Sequence, residues 1–348
     1  MIGIGVIGYG YWGPNVVRNF AETAGARVGF VADIRPERLA QVTSRYPATK
    51  VSTDYRDLIA DPSVDAVAIA TPVSTHFDLA LSVLRAGKHV LVEKPMTSTS
   101  EQSRALIDEA DRRGLVLMVG HTFVYTNAVA KIRELTARGD IGEIYYYDSV
   151  RINLGLFQRD VNVLWDLAVH DLSIMDDILP QSPVAVSATG LAHLPGQPEN
   201  IAYMTMFFEG RLIAHVNANW LAPVKVRRTL VGGSRRMIVF DDLEASEKIK
   251  VYDRGISVNP SPENVYQMLV GYRAGDMWAP QLGIGEALHT EATHFIECIE
   301  QTRTPRTDGH AGLRVVRLLE AASLSMAQQG RLVELAAETS TPSGPAHR

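Results

Sequence analysis

The sequence predicts a two-domain α/β protein, with a parallel sheet first and a large, mostly antiparallel open sheet after it. Up to about residue 121, short continuous apolar runs alternate with amphipathic helical segments, which is typical of βαβ units. Beyond that point, longer runs alternate apolar and polar residues, as strands with one buried face do. We therefore predict an α/β domain over residues 1–121, an α+β domain over residues 122–330, and a disordered tail over residues 336–348.

The elements of the first domain follow from its apolar runs. Strands are predicted at residues 2–7, 28–32, 65–70, 89–92 and 115–119. Apolar residues recur at helical spacing between them, most clearly over residues 77–84, and a further helix is predicted over residues 100–113. Strands separated by helices give a sheet whose strands run parallel.

The second domain opens with a helix over residues 127–138. Strands with two-residue alternation are then predicted at residues 144–151, 184–191, 201–208, 212–220, 225–231 and 237–240. Two helices close the domain, the first with an apolar face that includes Leu288 and Phe295, the second over residues 312–327.

Composition and charge argue against several classes of protein. Hydrophobic residues make up 46% and charged residues 21%, which are globular values. The net charge is −5 with no basic tract, so binding of nucleic acid is not expected. No apolar stretch reaches the ~20 residues that span a bilayer. The single cysteine, Cys298, cannot form an intrachain disulfide, which fits a reducing compartment, and we expect a cytoplasmic protein.

A glycine-rich turn follows the first strand and opens the first helix. Gly8, Gly10 and Gly13 have the spacing G-x-G-x-x-G, and Asp33 lies 20 residues beyond at the end of the second strand. The first glycine permits a tight turn, the second lets a pyrophosphate approach the backbone, and the third allows the helix to pack closely on the strand. The free N–H groups of the helix attract that pyrophosphate. This combination predicts a dinucleotide site.

The acidic residue favours NAD over NADP. The Asp33 carboxylate would accept hydrogen bonds from the ribose diol and repel a 2′-phosphate. Arg35 and Arg38 keep NADP open as an alternative, because an arginine at this position can accommodate the phosphate.

Two further segments end strands at the same edge of the sheet. Thr71-Pro72 follows the third strand, and Glu93-Lys94-Pro95 follows the fourth. Ligands in open α/β sheets bind outside the carboxyl ends of the strands, so both segments should face the dinucleotide. An ammonium group at Lys94 could then polarise a substrate hydroxyl.

Together these motifs resemble the Gfo/Idh/MocA family of oxidoreductases, which includes glucose–fructose oxidoreductase and inositol dehydrogenase. The resemblance covers about residues 2–330. No single motif is specific for the family, but the motifs in combination are. The motifs that carry it are Gly-Tyr-Gly-Tyr-Trp-Gly at 8–13, Ala-Thr-Pro at 70–72 with His76, Val-Glu-Lys-Pro at 92–95, Trp-Asp-Leu-Ala-Val-His-Asp at 165–171, Glu286, Glu291 and Phe295 of the late helix, and Thr-Asp-Gly at 307–309.

The resemblance implies a Rossmann domain, a nicotinamide cofactor, a catalytic-site lysine at Lys94 and a cis Lys94–Pro95 bond. It also implies a homodimer or homotetramer formed through the open sheet. The residues predicted to contact the cofactor are Gly8, Gly10, Tyr11, Trp12, Gly13, Asp33, Arg35, Arg38, Thr71, Pro72, His76, Glu93, Lys94 and Pro95.

An aspartate and a histidine stand four residues apart in a helical stretch over residues 164–179. On an α-helix this spacing places Asp166 and His170 on one face, where the carboxylate would stabilise the imidazolium. A histidine with a pKa near neutrality suits a general base. The resemblance implies that His170 is that base, with Asp166 and Lys94 completing the site. No third ligand is evident nearby, so no metal is predicted.

Polar and aromatic residues in flanking segments are candidates for contacts with a sugar-like substrate: Tyr125, Arg151, Asn153, Asn162, Trp165 and Asp171. The function that follows is an NAD(H)-dependent oxidoreductase for a secondary alcohol of a sugar, amino sugar, nucleotide sugar or cyclitol. Three alternatives stay open. They are an NADPH-dependent ketoreductase of deoxysugar or antibiotic biosynthesis, a non-catalytic regulator that senses the dinucleotide, and an NAD-dependent glycosidase.

Overall fold

The structure, a computed structural model, describes residues 1–155, 161–258 and 270–336. Its first sheet has six parallel strands in the order β3-β2-β1-β4-β5-β6, which confirms the predicted parallel sheet. The strands are β1 (Ile2–Ile7), β2 (Ala26–Ala32), β3 (Lys50–Ser52), β4 (Ala66–Ile69), β5 (His89–Glu93) and β6 (Leu117–Gly120). The three-residue edge strand β3 is too short and too polar for an apolar run to indicate it.

Five helices connect these strands: α1 (Gly13–Glu22), α2 (Pro36–Arg45), α3 (Tyr55–Ala60), α4 (His76–Arg85) and α5 (Ser100–Arg113). Local chemistry sets their ends. The Thr99 side chain accepts a hydrogen bond from the Gln102 N–H at the start of α5, and Gly114 ends that helix with φ 64°. All residues of β1 are buried, because helices cover both faces of the sheet.

The second sheet has nine strands in the order β16-β13-β12-β11-β7-β10-β9-β8-β17. Strands β7 and β10 are parallel, and the other described neighbouring pairs are antiparallel, which confirms the mostly antiparallel sheet. Strands β14 and β15 pair separately. The bounds are β7 (Ile144–Ile152), β8 (Ala185–Leu191), β9 (Ile201–Phe207), β10 (Ile213–Asn219), β11 (Val226–Gly233), β12 (Met237–Asp241), β13 (Ile249–Tyr252), β14 (Gly255–Val258), β15 (Val270–Arg273), β16 (Met277–Trp278) and β17 (Val333–Glu334).

The described residues of this part of the chain form four α-helices: α6 (Asn127–Ala137), α7 (Val169–Ile178), α8 (Ala287–Gln301) and α9 (Gly309–Ala327). The last two also pack on the first domain. Phe295 of α8 meets Phe20 of α1 edge to face, with ring centroids 6.1 Å apart. Val316 of α9 is buried in the same apolar cluster as β4 and β5. These helices fix the junction of the two domains.

The sheet of the second domain extends past residue 330, the predicted end of that domain, because β17 adds a two-residue edge strand to β8. Most of the tail predicted to be disordered, residues 337–348, lies outside the described residues.

Candidate active site

The glycine-rich turn has the geometry that a pyrophosphate needs. Gly8 has φ 97°, and a Cβ there would lie 2.5 Å from the Ala70 carbonyl oxygen. A Cβ on Gly13 would lie 2.3 Å from the Gly8 carbonyl oxygen. Gly10, by contrast, faces open space apart from the guanidinium of Arg35. The open side of the turn therefore leaves backbone accessible where α1 begins, and the turn fits the phosphates of a dinucleotide.

Asp33 lies beside this turn and is 6% exposed. One carboxylate oxygen accepts the Tyr9 N–H at 2.6 Å, and the other accepts the Arg35 N–H at 2.9 Å. The Arg35 guanidinium adds contacts of 3.0 and 3.1 Å to both oxygens. Burial alone would raise the pKa of this carboxyl, but the hydrogen bonds from Arg35 and Tyr9 outweigh it and hold the pKa below its ordinary value. Asp33 is therefore an anion positioned at the turn.

The other residues predicted around the dinucleotide differ in exposure. Tyr11 is 91% exposed and Trp12 36% exposed at the tip of the turn. Arg38 is half-buried on α2. Thr71 and Pro72 follow β4 at the same edge, where the Thr71 hydroxyl bonds that of Thr75 at 2.7 Å.

His76 does not face this open side. It is 1% exposed, and its two ring nitrogens lie 2.9 Å from the carbonyl oxygens of Thr71 and Pro95. Both ring nitrogens are therefore occupied by backbone oxygens, and contact of His76 with the cofactor stays a prediction. Its ring instead connects the loops that follow β4 and β5, and thereby positions both.

Glu93 is the last residue of β5, and Lys94 follows it directly at the junction. The peptide bond between Lys94 and Pro95 is cis, as predicted. Burial raises the pKa of Glu93 to about 7, against the opposing effect of Lys94. Burial also lowers the pKa of Lys94, although Asp166 and Glu93 favour its charged form. The lysine is therefore partly desolvated and held between carboxylates.

Asp166 approaches Lys94 from the second domain. The Lys94 Nζ donates to the Asp166 carbonyl oxygen at 3.1 Å and lies 3.7 Å from Asp166 Oδ1. Oδ2 accepts the indole N–H of Trp220 at 3.0 Å. Their side chains are 21% and 25% exposed, so the lysine–aspartate pair faces the junction without being sealed.

The predicted pairing of Asp166 with His170 is wrong. No hydrogen bond joins the two side chains in the described part of the chain, where Asp166 bonds Trp220 instead. The physical reason is local: residues Leu164–Ala168 form a π-helix, and α7 begins only at Val169. The i, i+4 geometry of a continuous α-helix therefore does not apply to this stretch.

His170 lies in a positively charged environment. Burial first, then the charges of Lys94 and Arg151, lower its pKa well below the ordinary value, opposite to the predicted stabilisation of the imidazolium. Its ring packs on Phe123 with centroids 4.8 Å apart. Its buried Nδ1 has no hydrogen-bond partner among the described residues. The imidazole is therefore neutral, with a lone pair on one of its ring nitrogens.

Asp171 has hydrogen-bond partners within the protein. Its carboxylate is 2% exposed and accepts hydrogen bonds from Ser149 and Arg151, each at 2.6 Å. Its oxygens hold Arg151 in place, so contact of Asp171 with the substrate stays a prediction that these partners disfavour. Arg151 stays a candidate for a substrate contact. Its buried Nη1 has no hydrogen-bond partner among the described residues, and its guanidinium carbon lies 4.6 Å from the centre of the Phe123 ring.

Two more substrate candidates have structural contacts instead. Tyr125 is 5% exposed, and its hydroxyl bonds that of Thr307 at 3.0 Å. The Asn162 Oδ1 accepts the Leu164 N–H at 3.1 Å and so caps the π-helix. The sequence offered no way to separate such buried polar residues from substrate-facing ones.

Asn153 and Trp165 are half-buried and stay candidates. The indole N–H of Trp165 donates to the Ser323 hydroxyl at 3.0 Å, so only its ring face is left for a substrate.

Three residues at the junction were missed by the motif analysis: Phe123, Trp220 and Arg227. Trp220 carried a usable signal. It continues the alternation of buried residues Val216 and Ala218, which indicates the inward face of β10. Glu291 was named as a motif residue of the late helix but was given no role in the site, and the structure shows that it accepts a hydrogen bond from the Thr122 hydroxyl at 2.8 Å.

Among the described residues, no group of three or more histidine, cysteine, aspartate or glutamate side chains is arranged to hold a metal ion. None of the described helices is both long and apolar enough to cross a bilayer.

Fold and site together define an oxidoreductase with an NAD-binding Rossmann domain. Two family sequence models agree. The oxidoreductase family with an NAD-binding Rossmann fold matches residues 2–121, and the GFO/IDH/MocA C-terminal domain matches residues 129–239.

Named relatives extend the agreement along the chain. The UDP-N-acetylglucosamine 3-dehydrogenase of Acidithiobacillus ferrooxidans is 30% identical over 90% of this chain and 93% of its own. Its solved structure superposes with a TM-score of 0.79, covering 93% of this chain and 98% of that one. The NAD⁺-dependent scyllo-inositol 2-dehydrogenase of Bacillus subtilis is 26% identical over 88% and 86% of the two chains.

A levoglucosan dehydrogenase solved with NADH and levoglucosan has the same fold, with a TM-score of 0.79 at 23% identity over 96% of this chain and 99% of its own. The chain belongs to the Gfo/Idh/MocA family of oxidoreductases.

Proposed function

We propose that the protein is an NAD(H)-dependent dehydrogenase for a secondary alcohol of a sugar, amino sugar, nucleotide sugar or cyclitol. The observation that carries the proposal is the contact of Lys94 with Asp166, beside the neutral ring of His170, at the edge of the sheet where the glycine-rich turn begins α1. A ligand held by the turn would extend along this edge toward the lysine.

Each residue then has a defined role. Bound NAD supplies a hydride acceptor. The Lys94 ammonium donates a hydrogen bond to the substrate oxygen and stabilises the negative charge that develops on it. Asp166 holds that ammonium through its carbonyl and carboxylate oxygens. His170, which is neutral and half-buried, accepts the hydroxyl proton. In the reverse direction the same groups protonate a ketone.

The substrate class is supported by the relatives and by the donors at the junction. One relative is named for oxidation at a nucleotide amino sugar and another for oxidation of a cyclitol. The unpartnered Nη1 of Arg151 offers a hydrogen bond to a further hydroxyl or to an anionic substituent. The ring of Trp165 offers an apolar face of the kind that packs against the C–H groups of a sugar.

Asp33 supports NAD as the preferred cofactor, since its buried carboxylate would repel a 2′-phosphate. Arg35 favours the NADPH-dependent alternative. It is 44% exposed at its side chain and already lies against Asp33, so a rotation of this side chain could bring its guanidinium to the phosphate.

The open face of the nine-stranded sheet supports assembly into a homodimer or homotetramer. Tyr203, Phe207 and Ile213 are 47%, 38% and 43% exposed on neighbouring strands β9 and β10. Apolar side chains grouped in this way are typical of an interface. Light scattering of the purified protein measures this assembly, and a monomer at all concentrations would contradict it.

The experiment is a screen of sugars, nucleotide sugars, cyclitols and aminoglycosides in which NADH formation is followed by absorbance. We expect turnover with at least one class and none with a Lys94→Met variant that still binds NADH. A protein that binds NADH but turns over no substrate would be a regulator. Release of a free sugar without net NADH would identify a glycosidase.

A further inference from the structure

His121 is a buried histidine that the proposed mechanism does not use. It follows β6, is 1% exposed, and neither ring nitrogen has a hydrogen-bond partner among the described residues. Leaving two polar nitrogens without partners inside a protein is costly, and such groups are usually satisfied by ordered water. The position of the ring therefore points to water beside it.

A polar cavity of about 170 Å³ lies beside this ring. Two charged pairs line it: Arg306 Nε donates to Asp177 at 2.6 Å, and Arg314 Nε donates to Asp176 at 2.7 Å. The share of one water molecule in the liquid is about 30 Å³, so a polar cavity of this size has room for several waters. Those waters would supply the partners that the His121 ring otherwise lacks.

The cavity also lies close to His170. Ser173 lines it, and the Ser173 hydroxyl donates to the His170 carbonyl oxygen at 2.8 Å. The two imidazoles influence each other electrostatically, because His121 contributes to the lowered pKa of His170. Lys94 lowers the pKa of both rings. His121 therefore lines a polar cavity that also reaches the backbone of His170. The His170 ring packs on Phe123, two residues beyond His121, which places both imidazoles in the same part of the junction.

We propose that His121 relays to water in this cavity the proton that His170 removes from the substrate hydroxyl. The inference rests on the proposed function, because it needs His170 to act as the base. His121 does not touch the reacting atoms in this scheme. It acts only through His170, by positioning the path along which the proton leaves.

The proton transfers balance at each ring. His170 loses the acquired proton to an adjacent water or directly to His121, and recovers its lone pair. One His121 nitrogen forms an N–H bond while the other releases its proton to cavity water. The neutral ring suits this exchange, since it holds one N–H and one lone pair. Burial first, then Lys94, lower the pKa of His121 to about 3, which keeps the ring neutral. The charged groups around the cavity are Asp176, Asp177, Arg306 and Arg314.

The first test does not depend on activity. A high-resolution crystal structure of the protein should show ordered water within hydrogen-bond distance of at least one His121 nitrogen and continuous with the cavity. A dry cavity, or a protein group bonded to both nitrogens, overturns the relay whether or not the enzyme turns over.

The second test compares hydride and proton steps in a single turnover with saturating NAD and a substrate from the screen. NADH absorbance reports the hydride step, and a pH indicator in weak buffer reports the released proton. In the unmodified protein both signals should rise together. In His121→Phe and His121→Asn the NADH burst should persist, while proton release falls at least about tenfold behind it. His193→Phe, an exposed histidine on the second domain, is the matched control.

The outcomes separate the two proposals. A His121 variant that binds NADH and releases its proton in step with NADH formation overturns the relay and leaves the proposed function intact. Equal slowing of both signals assigns His121 a structural role and also overturns the relay. Absence of NADH formation by the unmodified protein with every substrate overturns the proposed function, and the relay with it.

Discussion

The ammonium group of Lys94 lies 3.1 Å from the carbonyl oxygen of Asp166 and 3.7 Å from its carboxylate. Lys94 directly follows strand β5 of the parallel sheet, and Asp166 lies on the π-helix before α7. The contact therefore crosses the domain junction, so that oxygen atoms of the second domain stabilise the ammonium charge of the first. Trp220, on the antiparallel sheet, bonds the same carboxylate and holds it toward the lysine.

We expect Asp166→Asn to lower kcat by roughly 10- to 100-fold, because a neutral amide no longer balances the lysine charge. The Lys94 pKa should fall further, so the basic limb of the kcat profile should move to lower pH while the KM for NAD stays within about twofold. Trp220→Phe removes one hydrogen bond to the carboxylate and should have a smaller effect. Equal kcat values for Asp166→Asn and the unmodified protein would contradict the assigned role.

Removing the proposed base or the lysine should lower turnover far more. We expect His170→Ala and Lys94→Met each to lower kcat by about 10²–10⁴-fold, with NADH binding measured by fluorescence nearly unchanged. Lys131→Met removes an exposed lysine that pairs with Glu134 on α6 and is the matched control. If His170→Ala kept near-normal kcat across pH 6–9, another group would be the base.

The sequence predicted the fold and the cofactor half of the site well, because those features depend on local patterns. The turn at Gly8, Gly10 and Gly13 and the acid at Asp33 lie within one βαβ unit, where spacing fixes geometry. The edge strands β3 and β17 were missed, since three and two residues are too short to show a period.

The substrate half was harder to predict because it depends on contacts distant in sequence. The π-helix over Leu164–Ala168 separates Asp166 from His170, and no sequence pattern indicated it. Asp171 was predicted to contact the substrate, but its carboxylate accepts a hydrogen bond from Arg151, which lies 20 residues earlier on β7. Residue type and spacing do not reveal which polar groups already have partners.

The preference for NAD should depend on Asp33. We expect Asp33→Ala to raise the KM for NAD and to shift the ratio of kcat/KM values toward NADP by roughly tenfold or more, since the repelling carboxylate is gone. Because Asp33 also accepts the Tyr9 N–H, the thermal midpoint should be compared in parallel. Arg35→Ala should weaken use of NADP without raising the KM for NAD. A fall in NADP use with unchanged NAD use in Asp33→Ala would reverse the cofactor assignment.

Glu93 should make stability depend on pH. Its folded pKa of about 7 lies above the usual value, so the folded protein retains a proton that the unfolded chain has lost. Stability from this group is therefore present at low pH and falls as pH rises through 7. Between about pH 5 and pH 8 the loss should be on the order of 2–3 kcal/mol.

Glu93→Gln should remove this part of the pH dependence, as measured by urea unfolding of the protein without cofactor. The stability of the variant relative to the unmodified protein should therefore rise with pH. Exposed Glu37→Gln on α2 serves as the control and should give a difference that does not change with pH. A Glu93→Gln difference that is flat over the same range would show that Glu93 is ionised throughout.

Asp171 should matter for stability because its charge is buried against Arg151, with each side chain 3% exposed. Asp171→Ala leaves a buried guanidinium without its partner and should lower the free energy of unfolding by about 3–5 kcal/mol. Replacing both, as Arg151→Met with Asp171→Leu, should cost less, because no isolated charge is left inside. Denaturant unfolding measures both. If Asp171→Ala instead left stability unchanged and raised the substrate KM, the carboxylate would be a substrate contact. Other groups would then hold Arg151 in place.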